Sequence, residues 1–188
     1  MNILILDTET TGFSPAKGAQ LIEVGALLYN VDYRVVIQTL SFLLPCDTNA
    51  AEHINGIKPD WTKQSILHPH SSAELLVDMA WASNFIIAHN ASFDIEFVKT
   101  LIDAGSPFWS VPWICTYKKF PWPVQLTRKR LEDVCVAMGV PYVKAHRALT
   151  DCQFIADCFS KIVDLKERLI YIDNTSNMNI ITTPNHKE

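Results

Sequence analysis

The stretch from Ile3 to Phe13 constrains this chain more than any other. Four consecutive apolar residues, Ile3–Leu6, run directly into Asp7 and Glu9. A continuous apolar run of this kind is typical of a strand that is buried on both faces of a sheet. Because side chains alternate along a strand, Asp7 and Glu9 should project from the same face. An isolated Asp-x-Glu would ordinarily end a strand in solvent, so the meaning of this pair depends on the rest of the chain.

Two neighbouring carboxylates repel each other and are costly to bury without a partner. Carboxylate oxygens are hard ligands of the kind that Mg²⁺ and Mn²⁺ prefer. The pair therefore predicts a divalent cation. Thr10, Thr11 and Gly12 should then turn the chain, and Gly12 would let a ligand approach the backbone closely.

Length and composition predict one folded domain. The chain has 188 residues, of which 48% are hydrophobic, and this is enough for a sizeable core. We expect residues 1–170 to form the domain and residues 171–188 to form a polar, mobile tail. No signal sequence and no run of about 18 apolar residues is present, so we expect a cytoplasmic protein without a membrane partner. Five cysteines without a C-x-x-C pair indicate reduced thiols and no zinc site.

Charge is unevenly distributed along the chain. Residues 1–116 hold 5 basic and 12 acidic side chains, whereas residues 117–147 hold 7 basic and 2 acidic side chains. Such asymmetry could place a polyanion beside an acidic, metal-loaded site. A solvated helix face is the alternative for Arg128–Arg130. The basic residues of this segment are Lys118, Lys119, Arg128, Lys129, Arg130, Lys144 and Arg147.

Apolar periodicity and turn signals predict strands that alternate with helices after an antiparallel start. Leu75, Leu76 and Met79 should form the buried face of one helix, with Ser71 or Ser72 as its N-cap. The predicted strands are 2–7, 21–29, 34–44, 85–88 and 113–116. A loop with a glycine turn is predicted at His53–Ile57, followed by a short helix from about Pro59. Four further helices are predicted at about 71–82, 90–104, 130–138 and 145–169.

Three short motifs occur in order along the chain. They are Asp7–Gly12, His89–Asp94 and His146–Asp151, the last with the spacing His-x-Ala-x-x-Asp. Together they resemble the signature motifs of the DEDDh 3′→5′ exonucleases, the superfamily of the proofreading epsilon subunit of bacterial DNA polymerase III. The resemblance extends from residue 3 to about residue 163. It implies an α/β, ribonuclease H-like fold with a mixed five-stranded sheet flanked by helices.

The resemblance also implies a mechanism and its residues. Two divalent cations, Mg²⁺ or Mn²⁺, would activate water and shield the charge of the attacked phosphate. Asp7, Glu9, Asp94 and Asp151 would hold them, with Asp7 bridging both. His146 would be the general base, a role that suits histidine near neutral pH.

Substrate contacts are expected on both sides of these acids. The family often carries His-Gly-Ile in a loop that wedges against the terminal base, whereas this chain has Asn55, Gly56 and Ile57. Capping of a turn is an alternative role for Asn90, and core packing is one for Phe93. The contacts that we expect are Thr8, Thr10, Thr11, Gly12, Phe13, Asn55, Ile57, His89, Asn90 and Phe93.

The function implied is hydrolysis at the 3′ end of single-stranded DNA, with release of nucleoside 5′-monophosphates. DNA is favoured over RNA as the substrate, and a DNA polymerase is the implied protein partner. Three alternatives remain: an exoribonuclease or oligoribonuclease with the same site, a noncatalytic polymerase-accessory module, and a ribonuclease H-type endonuclease. A complete carboxylate set argues against the noncatalytic alternative.

Overall fold

One mixed sheet organises the structure. The computed structural model describes residues 1–65, 68–143 and 146–181. The strands are β1 Asn2–Thr10, β2 Leu21–Asn30, β3 Val35–Leu43, β4 Phe85–Ala88 and β5 Trp113–Cys115. Their spatial order is β3-β2-β1-β4-β5. The first three strands are antiparallel neighbours, and β4 and β5 extend the sheet in parallel beyond β1. The predicted mixed five-stranded sheet is confirmed.

Helices cover both faces of this sheet. Alternation along β1 divides the core, because Ile3 and Ile5 pack with the later helices whereas Leu4 and Leu6 pack with the middle ones. The helices are α1 Glu52–Asn55, α2 Pro59–Thr62, α3 Pro69–Trp81, α4 Ala91–Val98, α5 Leu131–Ala137, α6 Ala148–Ser160 and α7 Leu165–Ile181. Short 3₁₀ turns occur at Pro15–Lys17 and Pro107–Ser110. The α5–α7 face and the α3–α4 face therefore meet at β1.

Strand β1 is longer than predicted and contains the acids within it. The sequence indicates an end at residue 7, but pairing with β2 continues through Glu9, which lies opposite Glu23. The register shifts only between Glu9 and Thr10. Strand β2 pairs with this acidic segment of β1 and keeps it extended, so the side chains of Asp7 and Glu9 point in fixed directions.

Helix α3 begins earlier than predicted, and its capping residue differs. His68 is the N-cap, and its Nδ1 atom accepts a hydrogen bond from the His70 backbone N–H at 3.3 Å. The predicted cap Ser72 is instead buried inside the helix. Leu76 and Met79 form the buried face as predicted, but Leu75 is 44% exposed and does not belong to it.

Two predicted helices end earlier than the sequence indicates. Helix α4 ends at Val98, and just beyond it the hydroxyl and the backbone N–H of Thr100 both donate to the Phe97 carbonyl, at 2.7 and 2.9 Å. The single helix predicted for 145–169 is two helices, α6 and α7. The Arg34 guanidinium donates to the carbonyls of Ser160 and Val163 at the break, at 3.3 and 3.5 Å.

Some predicted boundaries change or fall outside the described residues. The glycine-turn loop predicted at His53–Ile57 begins with the short helix α1. The boundary predicted at residue 171 lies inside α7, where Ile172 is buried. Lys144, the predicted helix start at Ala145 and residues 182–188 lie outside the described residues. None of the helices in the described part of the chain combines the length and the apolarity needed to cross a bilayer.

Candidate active site

The acids of β1 lie beneath the start of α6. Asp7 is paired with Gly25 of β2, and Glu9 is paired with Glu23. Alternation along the strand directs Asp7 and Glu9 to the same face as Ile3 and Ile5. Both side chains are partly buried, and they are held where β1 leaves the centre of the sheet.

Asp94 approaches the same edge from the opposite face. It lies in the first turn of α4, directly after β4, and is 2% exposed. The Thr8 hydroxyl donates to its Oδ1 atom at 2.9 Å. Because β1 and β4 are parallel neighbours, their carboxyl ends meet at one edge, where α/β sheets commonly bind ligands.

Helix α6 adds an acid and an imidazole. Asp151 lies in its first turn and is 9% exposed. His146 precedes the helix in a left-handed backbone conformation with φ of 42°. One ligand atom each of Glu9, His146 and Asp151 lies within 4.8 Å of the others. The predicted first and third motifs are therefore brought together, whereas Asp7 and Asp94 lie outside this 4.8 Å group.

Burial, and for three of the four acids the charge of neighbouring carboxylates, raises their proton affinity. Burial raises the pKa of Asp7 well above its ordinary value, and the charge of Asp94 adds to the effect. Burial also raises the pKa of Asp94, which the Thr8 hydrogen bond partly offsets. Burial and the charge of Asp151 raise the pKa of Glu9 to about 8. The pKa of Asp151 rises to about 6, through burial and then the charge of Glu23.

This donor set fits a divalent cation. The Oδ1 atom of Asp151 is buried and has no hydrogen-bond partner in the structure. A buried carboxylate oxygen without a donor is costly unless a cation meets it. The neighbouring donors are carboxylate oxygens, which suit Mg²⁺ or Mn²⁺. Asp7, Glu9, Asp94 and Asp151 are the residues that could hold such ions.

A cavity of about 540 Å³ adjoins the acids. Phe13 stands at its rim and is 86% exposed. Ala50, Ala51, His53 and Ile54 contribute from the opposite side, and sequence reasoning did not assign them. Among the expected contacts, the cavity is lined by Thr8, Thr10, Thr11, Gly12, Phe13, Asn55, Asn90 and Phe93.

Two expected substrate contacts, Ile57 and His89, do not line the cavity, and a third, Asn55, lines it but is held by hydrogen bonds within the protein. Ile57 is fully buried in a small cluster with Ile22 and Cys46 and does not line the cavity. Asn55 is 3% exposed, and its amide is engaged: Nδ2 donates to the Thr10 carbonyl at 3.1 Å, and Oδ1 accepts from the Ile57 N–H at 3.1 Å.

His89 lies behind the cavity lining. Its Nδ1 atom is 2.9 Å from the Thr116 hydroxyl oxygen, and its ring meets Tyr117 edge-on. Burial lowers the pKa of His89. This favours a neutral imidazole that supports the loop after β4.

Sequence reasoning missed a buried ion pair beside the acids. Glu23 is 1% exposed, and the guanidinium of Arg147 donates to both of its oxygens. The available signal was a glutamate inside the otherwise apolar segment Leu21–Tyr29, because a buried charge requires a partner. The guanidinium of Arg147 is therefore paired with Glu23, although 43% of its side chain remains exposed. Arg130 is 57% exposed and pairs with Asp133 at 2.9 Å.

Comparisons with known proteins agree on the fold and the family. A family model described as Exonuclease matches residues 4–159. The PolC-type DNA polymerase III of Thermotoga petrophila is 26% identical over 171 residues, which are 88% of this chain and 12% of that protein. The epsilon subunit of DNA polymerase III from Rickettsia felis is 34% identical over 98 residues, which are 50% of this chain and 42% of that one. Ribonuclease T of Salmonella typhimurium is 26% identical and covers 88% of this chain and 86% of its own length.

Solved structures share the architecture. Escherichia coli Exonuclease I in complex with a dT13 oligonucleotide superposes with a TM-score of 0.70 at 19% identity, covering 90% of this chain and 42% of that one. The nuclease domain of 3′hExo, a DEDDh family member bound to rAMP, superposes with a TM-score of 0.70 at 18% identity, covering 88% and 92% of the two chains. The arrangement of the three motifs and the match over residues 4–159 lead to one conclusion: the chain belongs to the exonuclease family.

Proposed function

We propose that this chain is a divalent-metal-dependent 3′→5′ exonuclease that releases nucleoside 5′-monophosphates from single-stranded nucleic acid. One observation carries the proposal. Carboxylates from three separate elements, β1, α4 and α6, meet at one edge of the sheet together with His146 and beside an open cavity. Nothing in the packing of the core requires this costly arrangement, whereas phosphodiester hydrolysis does.

The acids would hold the metal ions, and His146 would move the proton. Bound divalent ions supply Lewis-acid activation of water and neutralise charge on the phosphate. His146 stands within 4.8 Å of ligand atoms of Glu9 and Asp151, so its imidazole could accept a proton from water at this position. Asp94 is oriented for its role by the Thr8 hydroxyl. The four acids come from three elements, β1, α4 and α6, so their geometry is set by the fold.

The cavity would hold the terminal nucleotide. Its rim presents the exposed ring of Phe13 and the 45% exposed side chain of Ile54, which could contact the faces of a base. We assign to Ile54 the apolar contact that the sequence suggested for Ile57. Asn90 and Phe93 line the wall on the side of β4. Aromatic contact of this kind tolerates any base, which suits an exonuclease without sequence preference.

We propose DNA as the preferred polymer and RNA as the second candidate. DNA is supported by relatives named as DNA polymerase III proteins and by the neighbour in complex with dT13. RNA is supported by Ribonuclease T, which this chain matches over 86% of its length, and by the neighbour bound to rAMP. The metal site itself contacts phosphate, so it does not discriminate between the sugars.

Digestion of labelled oligonucleotides tests both parts of the proposal. Single-stranded DNA and RNA of one sequence, labelled at the 5′ end, are incubated with Mg²⁺, Mn²⁺ or EDTA. We expect a metal-dependent ladder that shortens from the 3′ end, faster for DNA. His146→Ala and Asp7→Asn should abolish it, whereas Asp103→Asn, an exposed acid outside the site, should not. Full activity of either site variant would overturn the assigned roles, and no ladder on either polymer would overturn the function.

Two further assays separate the remaining alternatives. A circular single-stranded DNA has no end, so its cleavage would favour a ribonuclease H-type endonuclease. Association with a DNA polymerase is proposed from the relatives' names alone. Co-elution with a polymerase in size-exclusion chromatography would support an accessory role, and elution as a solitary monomer would contradict it.

A further inference from the structure

Glu23 is a carboxylate that the proposed mechanism does not use. It lies in β2 directly opposite Glu9, and only 1% of it is exposed. Both of its oxygens are occupied by donors from the start of α6. Arg147 Nη2 donates to Oε1 at 2.6 Å, and the Ala148 backbone N–H donates to Oε2 at 3.1 Å. Arg147 Nε lies 3.1 and 3.0 Å from the two oxygens.

These contacts cap α6 from another element. Arg147 is the N-cap residue and has extended backbone angles, but an arginine side chain has no acceptor with which to bind the first N–H groups of a helix. Glu23 supplies that acceptor by binding Ala148 N–H. The negative charge of Glu23 also lies at the positive end of the helix.

A second contact fixes the same turn of α6 to β2. The Cys152 thiol donates to the Gly25 carbonyl at 3.3 Å. A Cβ atom at Gly25 would lie 2.2 Å from the Leu149 backbone N, so the helix packs directly on the strand backbone. The start of α6 is therefore held at two positions on one face of β2, Glu23 and Gly25.

His146 immediately precedes this anchored turn. Its φ of 42° is in the left-handed region, which is uncommon for residues other than glycine and indicates a constrained backbone. Arg147 is the next residue, and its bidentate pair with a buried carboxylate fixes the backbone at this point. Arginine is suited to the task because its planar fork matches a carboxylate in two directions.

We propose that the Glu23–Arg147 pair is a positioning device that holds His146 against Glu9 and Asp151. Glu23 and Arg147 are positioning residues, since they act through the backbone of His146 and through the start of α6. Glu23 is then not a metal ligand, because both of its oxygens already accept from Arg147 and Ala148. This inference rests on the proposed exonuclease function for its catalytic consequence, but the positioning itself is measurable without catalysis.

The chain offers a matched control. Arg130 is the N-cap of α5 as Arg147 is of α6, and its Nε and Nη2 atoms donate to Asp133 at 2.9 and 3.3 Å. That pair lies at the surface, where the side chains of Arg130 and Asp133 are 57% and 28% exposed. Arg147→Lys and Arg130→Lys therefore each keep the positive charge and remove the bidentate geometry, in one case next to His146 and in the other at the start of α5.

Kinetics provide the first readout. With saturating Mg²⁺ and single-stranded DNA, Arg147→Lys and Glu23→Gln should lower kcat at least ~10-fold with KM unchanged, since small displacements of a reacting group are costly. Arg130→Lys should match the wild type. Binding of Mn²⁺, measured by titration calorimetry, should persist in Glu23→Gln. Unchanged kcat, or loss of Mn²⁺ binding in Glu23→Gln, would overturn the inference.

The second readout is spectroscopic and independent of activity. The imidazole signal of His146 is identified in a ¹H–¹³C correlation spectrum by its loss in His146→Gln. At one fixed pH it should move toward the position of free histidine in Arg147→Lys and Glu23→Gln, and remain in place in Arg130→Lys. A moved signal in a protein without nuclease activity would uphold the positioning and overturn the proposed function. An unmoved signal in an active, folded protein would overturn the positioning alone.

Discussion

Thr8 illustrates how one residue serves the site from the far face of a strand. It lies between Asp7 and Glu9 and points away from them, toward α4. Its hydroxyl donates to Asp94 at 2.9 Å, and this bond opposes the rise in the pKa of Asp94 that burial causes. Thr8 thus helps to keep a proposed metal ligand ionised and oriented.

Replacement of Thr8 by valine should therefore destabilise the folded protein. Valine has a similar shape but leaves the 2% exposed Asp94 without its donor. We expect the free energy of unfolding at pH 8 with Mg²⁺ to fall by about 1–3 kcal/mol. Urea titration measures it, and Thr8→Ser, which keeps a hydroxyl, is the control. Equal stability of Thr8→Val and wild type would contradict the argument.

Asp151 presents the opposite balance of stability and function. The Oδ1 atom of Asp151 is buried and has no hydrogen-bond partner. The negative charge of Asp151 also contributes to the raised pKa of Glu9. Without metal, Asp151→Asn should raise the free energy of unfolding by about 0.5–2 kcal/mol, because a repulsive charge is removed.

Addition of Mg²⁺ or Mn²⁺ should stabilise Asp151→Asn only slightly, and the variant should lose its nuclease activity. Differential scanning fluorimetry with and without metal measures both effects on stability. Asp157→Asn is the control, since that carboxylate lies later in α6 and accepts from Gln153 at 2.8 Å. A metal-induced rise in Tm as large as that of the wild type would rule out Asp151 as a ligand.

At the scale of elements, the contact between α6 and β2 places the third motif. The helix approaches so closely at Gly25 that no side chain fits between the two backbones. This contact sets where Asp151 and His146 lie relative to the acids of β1. The separate helix α7 follows because Arg34, from the turn between β2 and β3, binds carbonyls at the end of α6.

Gly25→Ala should consequently disturb the fold and the site together. Its Cβ would lie 2.2 Å from Leu149 N and 2.3 Å from Ala148 C, both backbone atoms. Overpacking against a backbone should cost at least ~3 kcal/mol of unfolding free energy. Gly105→Ala is the control, because nothing lies within 4 Å of its Cβ. Comparable denaturation midpoints for the two variants would show that the contact is looser than described.

At the scale of the whole molecule, the fold gathers acids at one edge of the sheet and keeps them there at a cost to stability. The raised pKa values of Asp7, Glu9, Asp94 and Asp151 are one expression of that cost. The folded state binds protons more tightly than the unfolded chain at these four groups. A bound divalent cation would replace those protons.

Stability without metal should therefore fall as pH rises. Carboxylates of the unfolded chain titrate near pH 4, whereas in the folded protein the pKa is about 6 for Asp151 and about 8 for Glu9. Between these pH values the folded state binds more protons than the unfolded state. The folded state therefore loses stability as the pH rises through this interval. The lowered pKa of His89 has the opposite effect, because it makes stability rise with pH below the ordinary pKa of histidine. His89 is one group, whereas four acids act in the first sense.

Thermal unfolding in EDTA across pH 5 to 8 measures this trend, and Mg²⁺ should raise Tm more at pH 8 than at pH 5 because its ligands must be deprotonated. A Tm in EDTA that rises through this interval would contradict the electrostatic account.

Local patterns in the sequence were sufficient for most elements and for the identity of the acids. An apolar run predicted β1, and apolar periodicity predicted the positions of β2, β4 and α5. The three motifs indicated Asp7, Glu9, Asp94, Asp151 and His146 through their resemblance to the signature of an exonuclease family.

Tertiary structure decided what depends on contacts between distant segments. Glu23 and Arg147 are 124 residues apart, and neither the capping of α6 by Glu23 nor the break after Ser160 has a local signature. The sheet register extends β1 through Glu9, and burial of Ile57 leaves Ile54 at the cavity. Local patterns in the sequence therefore indicated the groups that we propose to carry the chemistry, whereas packing determined which of them meet, since the neighbours that bury, pair and orient a side chain come from elsewhere in the chain.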